Sequence, residues 1–401
     1  MTTSMDDLKT EIKQAIVRSL RLPISAEEIG DSTPLFCEGL GLDSIDVLEL
    51  VLELERSLGV TIADEQTGMK VLASVDTIAD FIINELPLSR LFDAHYNADK
   101  ARLQRQAMAQ LGWIGIGLAE EGGGVGMTVV EEAFILREIG RVIGPTAIIP
   151  AILAAKLAHE AGLNDLRDAL LSGEGGAALA VAETPLSATA DGVSGTARIY
   201  NVQDAQAVLA IVGDEALLLD ASGASLQELP WLDAFTPVAR RDLAGLPVLA
   251  RVPAAATVHN GLLLTAAYLT GLAEGAVAMV QEYAGIRETF GRKIGAYQAV
   301  RHPIAEGAAR SEHAKSLLYV AALALRDGRD DVALQLSSAK VVAHRAATRN
   351  ADINIQLHGG IGITNDLPAH HFMKRALMLA PWFGGRKPLL DALLDEPLLT
   401  I

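Results

Sequence analysis

The sequence is poor in cysteine, in aromatic side chains and in positive charge, and each shortage excludes a class of protein. Cys37 is the only cysteine among 401 residues, which excludes an intramolecular disulfide and a cysteine-based zinc site. Aromatic residues make up 4% of the chain, so the core must consist mainly of Ala, Leu, Val and Ile. The 33 basic side chains face 50 acidic ones, and the net charge of −17 argues against a nucleic-acid binder, whose phosphate contacts need Lys and Arg in excess.

The chain also lacks the apolar segments that are typical of secreted and membrane proteins. Its first nine residues are polar and acidic, without the basic start and apolar stretch of a signal peptide. The longest uncharged stretch, 252–273, is interrupted by Pro253, His259 and Asn260, so it indicates a strand end that leads into a buried helix. We therefore expect a cytoplasmic protein with no membrane and no nucleic-acid partner.

What is present indicates several folded units, since 401 residues suffice for two or three domains of roughly 150 residues. Residues 1–87 form an acidic helical segment with 17 acidic and 6 basic side chains. Helical spacing recurs through 88–173, apart from a Gly-rich break at 121–126. Short apolar runs between turn residues predict a small β domain at 174–253, and long helical segments fill 254–401, broken near Gly291 and Gly359. Helices, a sheet and then long helices predict a mainly α protein with a small β domain.

The first informative motif is Gly41–Ser44 (Gly-Leu-Asp-Ser), at the start of a predicted helix over 44–58. A serine there lies over the free N–H groups and the positive end of the helix dipole, where a phosphodiester is well accommodated. An isolated Asp-Ser pair is usually only an N-cap. Together with the acidity of the segment and the preceding Asp31–Leu35, however, the motif makes residues 5–87 resemble an acyl carrier protein. The resemblance implies a four-helix bundle in which Ser44 carries 4′-phosphopantetheine and, on its thiol, an acyl thioester.

Partners follow from this resemblance. A phosphopantetheinyl transferase would modify Ser44, and a second enzyme would load the acyl group. Asp46, Glu49 and Glu53 share one helix face, which is either an ordinary solvated face or an acidic docking surface for basic patches on partner enzymes. We interpret Cys37 as a small buried hydrophobe, because no activating group is apparent near it.

Four stretches of the remaining chain carry a second resemblance. They are 111–126 with its run of glycines, Arg287–Gly295 (Arg-Glu-Thr-Phe-Gly-Arg-Lys-Ile-Gly) followed by Gln298, Gln356–Gly362 (Gln-Leu-His-Gly-Gly-Ile-Gly), and the pair Lys374–Arg375. Together they resemble the acyl-CoA dehydrogenase family of flavoproteins over residues 91–395. The resemblance implies a helical N-terminal part, a β middle domain and a C-terminal four-helix bundle.

The same resemblance implies FAD as a cofactor. The FAD pyrophosphate needs an arginine and close backbone N–H groups, and an arginine at a helix end and a Gly pair at a helix break offer both. Taken singly, these residues are equally compatible with a surface ion pair and an ordinary helix stop. In the family, residues of two subunits close around the adenine half, which implies a homodimer or homotetramer. The implied contacts are Arg287, Phe290 and Gln298 from one subunit, Gln356, Gly359 and Gly360 from another, and Glu183 and Thr184 beside the flavin ring.

The catalytic base is the point at which this sequence departs from the family. Family members remove the α-proton of the acyl thioester with a glutamate, while hydride goes to the flavin. Counting from the family motifs places the two alternative positions of this glutamate at Phe383 and Gly261. Neither residue is acidic, and no carboxylate follows Phe383 until Asp391. The catalytic residue is therefore unassigned, and no metal site is predicted.

Three functions stay open on this evidence. The chain is a flavin-dependent dehydrogenase that acts on an acyl group held by its own carrier and uses another residue as base. Alternatively it is a partner subunit, since the family includes two-subunit assemblies in which one subunit lacks the glutamate, and it then delivers the acyl group on Ser44 to a separate catalytic dehydrogenase subunit. The third function is a carrier module whose body is a docking scaffold without flavin.

Overall fold

The computed structural model describes residues 98–395, apart from 190, 191 and 225, together with Leu91 and with residues 9, 12–14, 16, 17, 25, 26, 29 and 30. The chain divides into two compact units, Met1–Arg90 and Leu91–Ile401. The predictions for Ser44, Cys37, Asp46, Glu49 and Glu53 lie outside the described residues, and so does most of the predicted carrier bundle.

The second unit begins with four helices. They are α1 (Ala98–Gln110), α2 (Val129–Arg141), α3 (Ile148–Glu160) and α4 (Asn164–Leu171). Helix α2 starts at a capping box: the backbone N–H of Thr128 donates to Glu131 Oε2 at 2.9 Å, and that of Val130 donates to Thr128 Oγ1 at 3.2 Å. The predicted Gly-rich break is confirmed, because a 3-10 turn at Glu120–Gly122 and a loop separate α1 from α2.

The middle part is a sheet of seven strands in the order β7-β8-β4-β1-β5-β6-β9. The β1 strand pairs in parallel with β5 and antiparallel with β4, and β1 and β5 are largely buried, as their runs of Ala, Val and Leu predict. A separate hairpin joins β2 to β3. The strands are β1 (Gly176–Ala182), β2 (Ser187–Thr189), β3 (Gly192–Ser194), β4 (Thr196–Tyr200), β5 (Ala205–Val212), β6 (Glu215–Asp220), β7 (Glu228–Leu229), β8 (Val238–Asp242) and β9 (Val248–Pro253).

Long helices follow the sheet. Strand β9 ends at Pro253, and the first helix of the bundle begins at the next residue, as the interrupted uncharged stretch predicts. The predicted breaks are also confirmed, by a short hairpin around Gly291 and by a 3-10 turn at Gly359–Ile363. The elements are α5 (Ala254–Ile286), β10 (Glu288–Thr289), β11 (Arg292–Lys293), α6 (Gln298–Arg326), α7 (Val332–His358), α8 (Ala369–Leu379) and α9 (Arg386–Asp395).

Helices α2 and α5 cross at backbone contact because each presents a glycine to the other. A Cβ atom on Gly271 would lie 1.8 Å from the carbonyl oxygen of Arg137, and one on Gly140 would lie 2.1 Å from that of Tyr268. An ion pair closes the crossing: Arg137 Nε and Nη2 donate to the two carboxylate oxygens of Glu274 at 2.7 and 3.0 Å. This crossing anchors the N-terminal helices on the bundle.

Helix α5 is also the one helix of the described residues that is long and apolar enough to cross a membrane by length and composition alone. However, 83% of its most apolar window is buried inside the fold. Its apolar surface is therefore used in the core of the bundle.

A buried ion pair joins the three parts of the second unit. Arg375 on α8 donates from Nε to Asp233 Oδ2 at 2.6 Å, and from Nη1 to the carbonyl oxygen of Gly144 and to the hydroxyl of Tyr268, both at 2.5 Å. Burial alone would raise the pKa of Asp233, but the Arg375 charge and the hydrogen bonds outweigh it, and the pKa is lowered. The β domain, the N-terminal helices and the bundle are thus fixed to one another at a single guanidinium.

Candidate functional site

The two predicted flavin signatures lie at the same end of the helical bundle. The ring of Tyr283, in the last turn of α5, stacks on the ring of His358, the last residue of α7, with centroids 4.3 Å apart. His358 Nδ1 hydrogen-bonds the carbonyl oxygen of Asn354 at 2.7 Å, which orients the ring. His358 is therefore a packing residue, and it holds the Gly359–Gly360 turn beside the end of α5.

The first signature forms a tight hairpin that projects into solvent. Arg287 ends α5, with its backbone N–H donating to the carbonyl oxygen of Tyr283 at 2.9 Å. At the tip, Phe290 and Gly291 have φ values of 51° and 77°, and the Phe290 ring is 98% exposed. The side chains of Arg287 and Gln298 are exposed and make no hydrogen bond or ion pair within the described part of the chain. A phenylalanine held in left-handed backbone and open to solvent indicates a residue that meets something outside its own chain.

The second signature is equally open. Gly359 has φ 70° and ψ −146°, a conformation that only glycine adopts readily. A Cβ atom on Gly359 or Gly360 would meet no atom within 4 Å, and Gln356 is exposed. Ile361 and Ile363, which follow, are 44% and 71% exposed. Donor groups and apolar side chains thus lie around an open surface at this end of the bundle.

The predicted contacts in the β domain are engaged differently. Glu183 Oε2 accepts from Arg240 Nε at 2.6 Å and its Oε1 accepts from Arg198, and these bonds lower the pKa of Glu183. Thr184 Oγ1 accepts from the backbone N–H of Thr196 at 2.8 Å. Both side chains therefore serve the sheet, and their assignment to the flavin ring stays a prediction.

An apolar pocket of about 330 Å³ opens at the C-terminal end of β1. Every residue that lines it is apolar or a glycine. Such a wall suits an alkyl chain or the face of a planar ring and offers no group that exchanges a proton. The lining residues are 179–182 on β1, Ile211, Val258, Pro381, Phe383 and Gly384.

The two positions counted for the family glutamate are in contact with each other, and one of them, Phe383, lines this pocket. A Cβ atom built on Gly261 would lie 2.5 Å from two ring carbons of Phe383, so the ring fills the space that any other residue at 261 would need. Phe383 has φ 53° and Gly384 has φ 112°. Residues 122 positions apart in sequence thus form one contact, and their assignment to the two family positions of the glutamate stays a prediction.

One residue that the sequence analysis missed holds the loop of Phe383. Lys340 on α7 is 1% exposed, and its Nζ donates to the carbonyl oxygens of Trp382 and of Gly384, the latter at 2.6 Å, with that of Ala380 at 3.5 Å. Burial lowers the pKa of Lys340 to about 7. Its one local signal is a charged residue on the buried face of α7, between Leu336 and Ala343.

A second missed group lies beside Gly261. Lys156 Nζ donates to Glu132 Oε2 at 2.7 Å and to Asn260 Oδ1 at 3.1 Å. Glu132 is fully buried, and its Oε1 has no hydrogen-bond partner among the described residues, where it faces the backbone of Gly117. The signal in the sequence is again an ionisable residue on the buried face of a helix. No three His, Cys, Asp or Glu side chains of the described ranges cluster as a metal site requires.

Family models match three segments of the chain. The phosphopantetheine attachment site matches residues 10–82, the acyl-CoA dehydrogenase N-terminal domain matches 70–173, and the acyl-CoA dehydrogenase C-terminal domain matches 253–393. These matches confirm the two resemblances found in the sequence.

Individual relatives agree with these matches. The acyl-CoA dehydrogenase FadE34 of Mycobacterium tuberculosis is 31% identical over 300 residues, which cover 72% of this chain and 41% of FadE34. A variant of the Tcur3481-Tcur3483 steroid ACAD has 25% identity and a TM-score of 0.68, over 77% of this chain and 94% of that one. The ChsE4-ChsE5 complex of Mycobacterium tuberculosis has a chain with 23% identity and a TM-score of 0.66, covering 77% of this chain and 96% of that one. The predicted fold class is confirmed.

Proposed function

Because the chain belongs to the acyl-CoA dehydrogenase family and carries a phosphopantetheine attachment domain ahead of it, we propose that it is an FAD-dependent acyl-thioester dehydrogenase. Its substrate is an acyl chain on its own phosphopantetheinylated carrier domain, desaturated between the α and β carbons in the cytoplasm. The observation that carries the proposal is the presence of both domains in one chain, since a carrier supplies a thioester and the family oxidises one.

The residues present fit part of the cofactor. Members of the family depend on FAD, which supplies a hydride acceptor when bound, and a phosphopantetheine attachment domain carries 4′-phosphopantetheine. The exposed Arg287 guanidinium and the open Gly359–Gly360 turn suit the pyrophosphate, because a charged donor and an unobstructed backbone are both available. The exposed Phe290 and Ile363 suit a second copy of the chain across the same surface, and a homodimer or homotetramer would complete the site.

The remaining residues shape the acyl site. The wall of the 330 Å³ pocket excludes water from an alkyl chain, and Ser44 would deliver the thioester to it. A thioester makes the α-proton acidic, but no residue of the pocket wall accepts a proton. We expect the isolated chain to turn over slowly for this reason.

The same observation favours a second function. With Phe383 and Gly261 in contact and no carboxylate at either position, the chain is also suited to be the non-catalytic partner of a two-subunit dehydrogenase. The ChsE4-ChsE5 complex has two named components, and this chain shares the fold of a chain of that complex. In this role the chain completes the fold and the flavin site of a catalytic subunit and delivers the acyl group on Ser44.

Anaerobic bleaching of the flavin tests the two functions. The full chain is modified by a phosphopantetheinyl transferase, loaded with an acyl group and followed by its visible absorbance. The enzyme function predicts bleaching by the chain alone, and the partner function predicts bleaching only after a catalytic subunit is added. A purified chain without flavin absorbance would contradict the enzyme function.

Ser44→Ala is the control for this experiment. It should abolish both the mass gain from phosphopantetheine and the bleaching, and it should leave the fold intact, since an exposed cap contributes about 1 kcal/mol. A Ser44→Ala chain that still gains the mass of phosphopantetheine would show that another residue is modified.

A further inference from the structure

We propose that Lys340 is a positioning residue that holds the loop 380–384 and thereby seats the Phe383 ring against Gly261 in the apolar pocket. The inference rests on the proposed function in one respect, which is that this pocket receives the acyl chain. The contacts that carry it do not depend on bound flavin.

The first observation is the match between donors and acceptors. The Lys340 ammonium has three N–H donors, and three carbonyl oxygens of one loop surround it, those of Ala380, Trp382 and Gly384. Two of these carbonyls flank Phe383, one on each side. The Trp382 carbonyl belongs to the peptide group that precedes Phe383, and the Gly384 carbonyl belongs to the second peptide group after it, so the same ammonium holds the backbone on both sides of Phe383.

The second observation is the backbone that these contacts hold. Phe383 has φ 53°, a left-handed conformation that a bulky side chain rarely adopts, and Gly384 has φ 112°. The N–H of Trp382 donates to the carbonyl oxygen of Leu379 at 3.2 Å, and that of Gly384 donates to that of Pro381 at 3.4 Å. These two long bonds are weak, so the ammonium is the strongest polar contact of the loop.

The third observation is that burial disfavours a charged side chain at this position. Other residues on this face of α7, such as Leu336, Ala343 and Ala347, are buried and apolar. Burial lowers the pKa of Lys340 to about 7, while the three carbonyl oxygens favour the charged form. Burial of the Lys340 charge is therefore unfavourable, and its hydrogen bonds favour one geometry of the loop 380–384.

Two further ionisable groups, His344 and Arg386, belong to the surroundings of Lys340. His344 lies one turn further along α7, and its pKa is lowered by burial and by the charges of Lys340 and Arg386. Arg386 begins α9, directly after the loop. Burial is what disfavours the positive charge at Lys340, and the carbonyl oxygens of the loop are what favour the ammonium. Loss of its proton near neutral pH would leave two donors for three acceptors.

Hydrogen exchange of the loop in the full chain tests the proposal. Lys340→Met keeps the length of the side chain and removes all three donors, so exchange at the Trp382 and Gly384 amides should rise about ten- to a hundredfold. Exchange within α5, α6 and α7 should stay unchanged. The matched control is Lys315→Met, which removes an ammonium that contacts Glu312 and Glu274 and does not touch the loop.

Two further measurements keep the proposal testable if Lys340→Met fails to fold. Lys340→Gln retains two N–H donors without charge and should restore part of the protection. In the unmodified chain, the protection factors of the loop amides should fall between pH 6 and pH 8.5, while those of α6 do not. Loop exchange that is equal in Lys340→Met and the parent chain, or a rise shared with the helices, overturns the proposal. A released loop with unchanged flavin bleaching supports it and contradicts the acyl pocket of the proposed function.

Discussion

The open end of the bundle and the apolar pocket differ in whether their side chains are contacted by other residues of the described chain. At the open end, Phe290 is 98% exposed, and Arg287 has no side-chain partner within the described residues. At the pocket, the Phe383 ring touches Gly261 without a gap, and Lys340 meets three carbonyl oxygens. Within the described residues, the side chains of the first surface are left to solvent, whereas Phe383 and Lys340 at the second are held by contacts of the chain itself.

This difference separates two kinds of departure from an enzyme. A surface that stays open retains what binding requires, since its glycines leave space and its arginine stays unpaired. At the pocket, the Phe383 ring packs against Gly261, and no residue of the wall accepts a proton. Both proposed functions need the open surface, and only the enzyme function needs proton transfer at the pocket.

The largest expected effect comes from placing a carboxylate in the wall of the apolar pocket, at position 383. Phe383→Glu should speed anaerobic flavin bleaching by about 10²- to 10⁴-fold, the usual contribution of a general base. The pocket is apolar, so it should raise the pKa of the new carboxyl toward neutrality. Phe383→Gln is the matched control, because it has the same size and no basic group. Rapid bleaching by the parent chain would instead show that a base lies elsewhere.

The contact between the two positions sharpens this experiment. Gly261→Glu alone should be inactive and less stable, because its Cβ would lie 2.5 Å from the ring of Phe383. Gly261→Glu combined with Phe383→Gly removes the obstruction and should gain the rate. Equal rates for the single and double variants would contradict the contact.

Protonation provides a second comparison, between the half-buried His371 on α8 and an exposed histidine on α6. Burial lowers the pKa of His371 to about 4, and the positive charges of Lys374 and Arg375 act in the same direction. The unfolded chain binds this proton below pH 6.5 and the folded chain does not, so the free energy of unfolding should fall as the pH decreases from 6.5 to 4. The loss should stay below about 3 kcal/mol, because the 1.36 kcal/mol per pKa unit is reduced by the solvent that reaches this half-buried ring.

Urea denaturation at pH 7 and pH 4.5 measures this effect. His371→Phe should reduce the pH dependence by the part that His371 contributes, because a phenyl ring takes no proton; His344 and His370, whose pKa values burial also lowers, should keep the rest. The control is His302→Phe, whose side chain is exposed on α6. A pH dependence that is the same in His371→Phe and the parent chain would show that other groups cause it.

A smaller effect is expected at the open end of the bundle. Arg287→Ala should weaken flavin retention about ten- to a hundredfold, since it removes a charge-assisted contact worth about 1.5–3 kcal/mol. The unfolding transition should not change, because Arg287 is exposed and makes no side-chain contact within the described chain. Flavin content after gel filtration is the measurement, and Arg326→Ala, at the end of α6, is the control. Equal flavin content in both variants would remove Arg287 from the site.

The smallest effect tests whether the open space is used. Gly360→Ala should leave the free energy of unfolding within about 0.5 kcal/mol, since a Cβ there meets nothing within 4 Å of its own chain. It should still lower flavin retention or dimer content severalfold if a ligand or a second chain approaches this backbone. Gly192→Ala, where the space is also free, should change neither quantity. An unaffected Gly360→Ala chain would mean that the surface is merely solvated.

Local signals in the sequence predicted the fold, and contacts between distant residues had no such signal. Gly291 turns the hairpin of β10 and β11 and Gly359 caps α7, and the short apolar segments at 174–253 indicate strands without tertiary context. The contact of Gly261 with Phe383 was accessible only through family resemblance. The pairing of Arg375 with Asp233 joins residues 142 positions apart and could not be predicted from either neighbourhood.

Ionisable residues on buried helix faces were the missed signal in the candidate site. Lys340 and Glu132 each interrupt an apolar stripe, and in both cases the structure gives the residue a specific partner. The sequence shows the interruption and not the partner, because the loop at 380–384 and Lys156 lie far along the chain. Glu183 and Thr184 show the reverse case, since an apparent flavin motif is engaged by strands β4 and β8.

The contact between Gly261 and Phe383 also makes the history of the two positions interdependent. A chain with any side chain at 261 cannot hold an aromatic ring at 383 in this position, and a chain with the ring cannot regain a side chain at 261. Substitutions at the two sites are therefore epistatic, and their order is constrained: the ring must leave before a glutamate arrives at 261. From this pair, a glutamate at 261 requires two substitutions and passes through a chain that has neither the ring nor the glutamate. A glutamate at 383 requires a single substitution.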